Sequence, residues 1–339
     1  MSERVQRTYF TVADSLFFPG LVALLNSLHL TGNAGRLVVL DLGLLPHQRQ
    51  ILEGHVEFCP RPQRIFDNPL LSKPFPHLLN PEGVIVIIDS DIIVTSSLDE
   101  MMSLAAAGHI CMFSDETQDQ RWFPEWGQAF GLRSPLRQES SQNSGFIALS
   151  AENWSWLLQR WWESCGKIPA ACTRGRGASY SQPFWDGDQD ALNALLMSEV
   201  PKGHLATWPQ HVSYLLMDVE VTNRNTLECR HRGKPAYLLH QTGSPKPWSP
   251  EAWMRVERNA YVRLLPRLLF APDIKVRLRP KDLPIWLRPS LAGTLSLWCL
   301  TLLNRTARRI VAKTSGSTHD RLMKLRARLV RSRKVYLRQ

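Results

Sequence analysis

The chain has 339 residues, 44% hydrophobic and 21% charged, enough to bury the core of one large α/β domain with an appendage. Its six cysteines, at 59, 111, 165, 172, 229 and 299, form no C-x-x-C pair and lack the dense spacing of a secreted disulfide scaffold, which suits a reducing compartment. The formal charge of +11 is uneven: residues 255–339 hold 21 Lys+Arg against 4 Asp+Glu, and residues 1–254 hold 20 against 26, so a slightly acidic body carries a strongly basic tail.

The opening Met1-Ser2-Glu3-Arg4 leads straight into core-like sequence, so no cleaved signal is expected. Residues 8–14 read as a short buried strand ending in Asp14. A helix follows, with Leu21, Leu24, Leu25 and Leu28 at helical spacing, and Leu37-Val38-Val39-Leu40 supplies the next strand before Asp41. A further helix covers 46–54. The β-branched run Val84-Ile85-Val86-Ile87-Ile88 is too short for a helix and too apolar for a half-exposed strand, which makes it the central strand of a mostly parallel sheet. Strands and helices alternate to about residue 240, predicting an α/β sheet covered on both faces. Residues 173–182, rich in Arg, Gly and Ser, read as a mobile loop beside the site. Residues 289–304 are free of charge, but 16 residues fall short of a membrane span. Leu322, Leu325 and Leu329, set among Arg321, Lys324, Arg326, Arg328 and Arg331, describe a basic amphipathic helix.

Three groups of residues carry chemistry. Asp89-Ser90-Asp91 is one of three Asp-x-Asp triplets, with 186–188 and 188–190, but it alone follows a buried strand directly, at the strand end where ligands of such sheets sit. Two carboxylates there suit a hard divalent cation beside a diphosphate; the plainer reading is a turn-forming or capping pair. His240-Gln241-Thr242-Gly243-Ser244-Pro245-Lys246-Pro247-Trp248 joins an imidazole, a glycine and a lysine in one loop, the parts of a metal and diphosphate site or of an ordinary Gly/Pro turn. Asp186, Asp188 and Asp190 lie at the start of a helix whose apolar face is Ala191, Leu192, Leu195 and Leu196. Capping accounts for one of those carboxylates better than for three.

In this order, with Lys73-Pro74 ahead of the acidic strand and Asn143-Ser144-Gly145-Phe146 after it, the motifs resemble glycosyltransferase family 8 over residues 8–250. The resemblance implies a GT-A, Rossmann-like sheet in a catalytic domain over 1–254; the charge count and the leucine spacing set a basic, partly amphipathic helical extension over 255–339 apart from it. It implies a retaining hexose transfer from a UDP-sugar to a glycan or lipid-linked saccharide, dependent on Mn²⁺ or Mg²⁺. Asp89, Asp91 and His240 would ligate the metal, and Gly243 and Lys246 would contact the diphosphate. Ala13, Asp14 and Ser90 would lie near the nucleotide, and Lys73, Asp115, Asn143, Asp188 and Gln189 near the donor sugar. Asp188, Gln189 and Asp190 would line the face opposite the leaving group, where either a carboxylate attacks or the acceptor enters on the leaving group's own side. Ser15-Leu16-Phe17-Phe18 departs from the family, many members of which place a polar residue and an aromatic there.

The competing reading is a non-catalytic nucleotide-sugar-binding or scaffold protein of the same fold; the joint presence of metal, diphosphate and sugar positions argues against it. The basic tail predicts docking on an anionic membrane, and so a cytoplasmic protein peripheral to the inner face, against a solvated extension. Nucleic acid is not the expected partner, because the tail lacks an ordered aromatic or zinc framework.

Overall fold

A computed structural model describes residues 5–59, 62, 66, 68–115, 121–173, 179–209, 211–213 and 216–313. The expected amphipathic helix through Leu322, Leu325 and Leu329, and parts of the loops around 117 and 175, lie outside the described residues.

The chain opens with β1 (Arg7–Ala13), α1 (Phe18–Leu30), β2 (Arg36–Asp41), α2 (Pro46–Leu52) and β3 (Glu57–Cys59). β4 (Val84–Ile88) and β5 (Ile92–Val94) flank the Asp89-Ser90-Asp91 turn. They are followed by α3 (Asp99–Ala106), β6 (Ile110–Ser114), α4 (Glu125–Phe130), β7 (Gln142–Ser150), α5 (Ala151–Cys165) and α6 (Asp188–Leu196). Five short strands come next: β8 (Leu205–Trp208), β9 (His211–Val212), β10 (Val219–Asn223), β11 (Glu228–His231) and β12 (Lys234–Pro235). The last strand is β13 (Leu238–His240), before α7 (Ala260–Phe270) and α8 (Leu291–Lys313).

Seven strands form the central sheet in the order β3-β2-β1-β4-β7-β6-β8. β1, β2, β3 and β4 pair in parallel, as do β6 and β8; β7 alone runs against its neighbours β4 and β6. The architecture is the mostly parallel, helix-flanked α/β sheet expected from the alternation of elements. The period-two rule sorts the central strand cleanly: Val84, Val86 and Ile88 face one core with α1, α3 and α7, and Ile85 and Ile87 face the other with α5 and α6. α1 is apolar almost all round because it is buried on all sides, between the sheet, β5 and α7.

The boundary expected after residue 254 falls within packed structure. α7 buries Tyr261, Leu264, Leu265, Leu268 and Leu269 in the same core as α1. The Asn26 amide in α1 donates to the carbonyls of Leu268 (2.8 Å) and Val276 (2.7 Å) and accepts from the Val276 N–H (3.1 Å). The body therefore continues to Leu287, fully buried, before α8. None of the described helices is long and apolar enough to cross a membrane.

Candidate active site

β4 stops at Ile88, and the chain turns through Asp89-Ser90-Asp91 at its carboxyl end. The turn is held from below: the Asp89 N–H donates to the Gly145 carbonyl on β7 (2.9 Å), and the Ile92 N–H closes onto the Asp89 carbonyl (3.2 Å). Beyond the turn, β5 pairs antiparallel with β13 in a register that places Ile92 opposite His240, and the Gln241 N–H extends the ladder to the Asp91 carbonyl (3.1 Å). This small second sheet carries His240 to the acidic turn. Its Nε2 lies 3.2 Å from Asp91 Oδ1 and 3.5 Å from Asp89 Oδ2. Gly145 makes room for the ring, since a Cβ there would stand 2.8 Å from His240 Cε1 and 2.8 Å from Asn143 Oδ1.

The three groups fit a divalent cation. One ligand atom from each of Asp89, Asp91 and His240 lies within 4.8 Å of the others. Around Mg²⁺ or Mn²⁺, with ligands at about 2.1 Å, neighbouring donors of an octahedron are about 3 Å apart, close to the spacing of the imidazole from the two carboxylates. Two carboxylate oxygens and one imidazole nitrogen suit a borderline-hard cation.

Two buried lysines balance the acidic turn. Lys73 Nζ lies 2.9 Å from Asp89 Oδ1 and 3.0 Å from Asp188 Oδ2, and it donates to Ser144 Oγ (3.2 Å). Burial works against its charged form, yet the Asp188 and Asp89 carboxylates outweigh that and hold its pKa above the ordinary lysine value. Lys246 Nζ donates to Asp91 Oδ2 (2.5 Å) and to the Gln241 carbonyl (2.6 Å). Burial alone would raise the Asp91 pKa; Lys246 and His240 overcome it and hold the carboxyl well below its usual range.

The far wall is the first turn of α6. Asp188 Oδ2 accepts from Ser144 Oγ (2.7 Å), and burial raises its pKa, with Lys73 opposing. Gln189 is held at both ends of its amide: Oε1 accepts from the Ser144 N–H (3.0 Å), and Nε2 donates to Asp115 Oδ2 (2.8 Å). Asn193, one turn on, clamps the β7 backbone at Gln142 from both sides (2.7 and 2.9 Å), which fixes α6 against the sheet. Asp190 turns the other way. It receives Arg121 Nε at 2.6 Å and Nη2 at 2.8 Å, and it accepts from the Asp186 N–H (2.8 Å).

These elements enclose a cavity of about 380 Å³. It brings together Ala13, Asp14, Lys73, Asp89, Ser90, Asp91, Asp115, Asn143, Asp188, Gln189, His240 and Lys246. Asp190 and Gly243 do not line it: Asp190 is turned to Arg121, and Gly243 lines a neighbouring recess of about 230 Å³ on the outer side of the loop. Asp14 lines the cavity while its Oδ1 accepts from the N–H groups of Leu16 (2.9 Å) and Phe17 (3.0 Å), shaping the entry to α1. Ser144, within the Asn143–Phe146 motif, links Lys73 to α6. Two residues of the site carry no sequence signal of their own: Arg121 fixes Asp190, and His211 lies behind His240 with its Nε2 3.0 Å from His240 Nδ1.

Among solved structures, the chain is similar to the galactosyltransferase LgtC in complex with donor and acceptor sugar analogues, at 17% identity and a TM-score of 0.49, covering 78% of this chain and 98% of that one. It is also similar to the bifunctional glycosyltransferase WbbM (14%, TM-score 0.48, covering 78% and 50%). A third is the glycosyltransferase GlyE of Streptococcus pneumoniae (14%, TM-score 0.46, covering 72% and 56%). No protein-family model matches the sequence. No curated protein matches it either.

Proposed function

We propose that this protein transfers a hexose from a UDP-sugar to a glycan or lipid-linked saccharide acceptor, with retention, and requires Mn²⁺ or Mg²⁺. The observation that carries the reading is the charge of the cavity. Its described lining holds six carboxylates, Asp14, Asp89, Asp91, Asp115, Asp186 and Asp188, against two ammonium groups and one imidazole. Such a wall repels a diphosphate unless a divalent cation stands between them, and Asp89, Asp91 and His240 are spaced to hold one. When bound, the cation supplies electrostatic stabilisation to the departing diphosphate.

The chain's own residues do the rest. Lys246, on the loop after His240, is the cation nearest Asp91 on that side and is suited to a phosphate oxygen as a point charge. One well-placed donor to developing negative charge is worth about 3 kcal/mol. Lys73 ties Asp89 to Asp188, joining the acidic turn to the α6 wall. Asp188 and Gln189 form the wall opposite the turn, where either a carboxylate attack or a same-side acceptor would be accommodated. The decisive experiment is a screen of UDP-sugars with product mass spectrometry in Mn²⁺ and in EDTA. Metal-dependent release of UDP that disappears in Asp91→Ala supports the reading; a wild-type protein that neither binds UDP nor turns over any UDP-hexose refutes it and favours a scaffold role.

The acceptor side has its own observation. α8 rests on the body through Leu297 and Thr301, which are buried, while Leu291 (77% exposed), Leu295, Trp298, Leu302 (68%) and Leu303 form an apolar stripe on its outer face. Arg258 lies 4.5 Å from the Trp298 ring centroid, and Arg308 pairs with Glu257 at the base of the helix. Apolar side chains with an interfacial tryptophan and flanking arginines suit an anionic bilayer surface, and the basic composition of 255–339 complements it. Binding to anionic vesicles should exceed binding to neutral ones and should fall on Trp298→Ser with Leu302→Ser. Equal binding by the variant would sink the docking.

A further inference from the structure

Four arginines gather where the β10–β11 hairpin meets α7, on the side of the body that carries α8. Arg263 and Arg267 stand one turn apart on α7, and Arg267 reaches the hairpin, donating to the Asn225 carbonyl (3.3 Å) next to Arg224. Arg258, just ahead of α7, completes the group. Its guanidinium lies 4.5 Å from the Trp298 ring centroid, and its backbone N–H donates to Thr301 Oγ1 on α8 (2.9 Å). Only one of the four has its charge answered: Asp273 takes Arg267 through two hydrogen bonds (2.6 and 2.7 Å), whereas Arg224, Arg258 and Arg263 form no ion pair among the described residues. Burial and then the charges of Arg263, Arg258 and Arg267 lower the Arg224 pKa, and burial with Arg263 lowers that of Arg258. Guanidinium groups stay charged even so, and the repulsion among them persists.

Like charges that a fold holds together without counterions suit an anion with several oxygens, and guanidinium forks match phosphate oxygens in pairs. The end of the chain supplies no such anion, since residues 314–339 hold eight Lys+Arg against one acidic residue, Asp320. The surroundings identify the carrier. Trp298, against which Arg258 stacks, is exposed, and with Leu302 it continues the apolar stripe of α8 away from the arginines. A free phosphate needs no apolar border; a lipid headgroup comes with one. We propose that Arg224, Arg258 and Arg263 form a site for the phosphate of a membrane lipid, a phosphomonoester headgroup gripped by more than one guanidinium while Trp298 and Leu302 meet the acyl region. The assignment rests on the docking of α8 proposed above and adds a headgroup preference to it. Docking by diffuse charge follows surface potential alone, whereas a guanidinium site distinguishes headgroups at equal potential.

Co-sedimentation of the full-length protein with phosphatidic acid vesicles and with phosphatidylserine vesicles, matched in zeta potential, reads that preference. Wild type should bind the phosphatidic acid vesicles about fivefold more tightly or better, and Arg224→Gln with Arg263→Gln should bring the ratio to about 1. Neither side chain makes a hydrogen bond among the described residues, so the variant should unfold at the wild-type urea midpoint. Arg224→Gln alone, on the exposed hairpin, should already lower the ratio. Trp298→Ser with Leu302→Ser should weaken binding to both vesicles and leave the ratio standing, which separates the site from the docking. A wild-type ratio of about 1, or a ratio unchanged in the double arginine variant, overturns the site while the docking survives. Saturable binding of glycerol 3-phosphate without vesicles, together with no preference between the two vesicles, assigns the cluster to a free phosphate and overturns the lipid. Binding to no anionic vesicle overturns the docking and the site together.

Discussion

Removing Arg121 should be among the most damaging single changes away from the acidic turn. The guanidinium is 3% exposed and Asp190 1%, and the two meet through a pair of short hydrogen bonds at 2.6 and 2.8 Å. Arg121 also donates to the carbonyls of Tyr180 (2.6 Å) and Gln182 (2.7 Å), so one side chain ties the segment before α6 to the first turn of that helix. Taking away one partner of a buried pair leaves an uncompensated charge, at a cost of about 3–5 kcal/mol, against about 1 kcal/mol for an ordinary surface pair. Burial already pushes Asp190 up to about 7 with Arg121 present. In Arg121→Met its pKa rises further, and the folded state then keeps a proton that the unfolded state has released. Stability of the variant therefore falls as pH rises from the unfolded carboxyl pKa toward the folded one. Urea unfolding followed by tryptophan fluorescence, at about pH 5.5 and about pH 8, reads this as a deficit that is larger at the higher pH. Arg121→Met with Asp190→Leu should recover much of the loss, because two apolar groups replace the pair without leaving a charge behind. A single variant within about 1 kcal/mol of wild type at both pH values would refute the buried-pair reasoning.

Three further outcomes follow from packing. In Gly20→Ala the usual helix gain of about 1 kcal/mol is outweighed, since the new Cβ would stand 2.7 Å from the Ser90 carbonyl oxygen and 2.8 Å from the Trp248 ring. Turnover and Mn²⁺ affinity should drop together, and an unchanged Mn²⁺ affinity would show that the acidic turn tolerates the shift. Asn26→Ala strips three hydrogen bonds from the backbone at Leu268 and Val276, and should cost about 2–4 kcal/mol in urea unfolding. For the same reason a protein ending at 254 should fail to fold cooperatively, while one ending at 313 should keep its unfolding transition; a stable, monomeric 1–254 fragment would contradict this.

How much of this was legible in the sequence depends on which physical signal each residue leaves. The run from Val84 to Ile88 announces a strand buried on both faces, because β-branched residues without alternation have few other uses, and the carboxylates after it inherit the strand's carboxyl end. Strand direction leaves no such mark: β7 reads as apolar whichever way it runs, so its antiparallel insertion between β4 and β6 emerges only from pairing. α7 was hidden by composition. Counting arginines over 255–339 groups it with the basic tail, whereas Leu264, Leu265, Leu268 and Leu269 form a buried face with Arg263 and Arg267 toward its edges. Asp190 belongs by spacing with Asp188, yet position along a helix sends the two side chains to different partners, Lys73 for one and Arg121 for the other. His211 is a lone histidine outside any motif, and only the pairing of β9 with β13 brings it beside His240.

The site is also stitched across the length of the chain. Lys246 and Asp91, which touch, are 155 residues apart in sequence, and the Trp248 indole donates to the Leu16 carbonyl 232 residues before it (2.6 Å). During synthesis the acidic turn leaves the ribosome long before its imidazole and lysine, at about 5–20 residues per second. For several seconds the nascent chain thus presents two carboxylates without the third donor that would favour a tightly held ion. The cluster of Asp89, Asp91 and His240 is complete only when β13 pairs with β5, so a chain still short of β13 carries two of its three members.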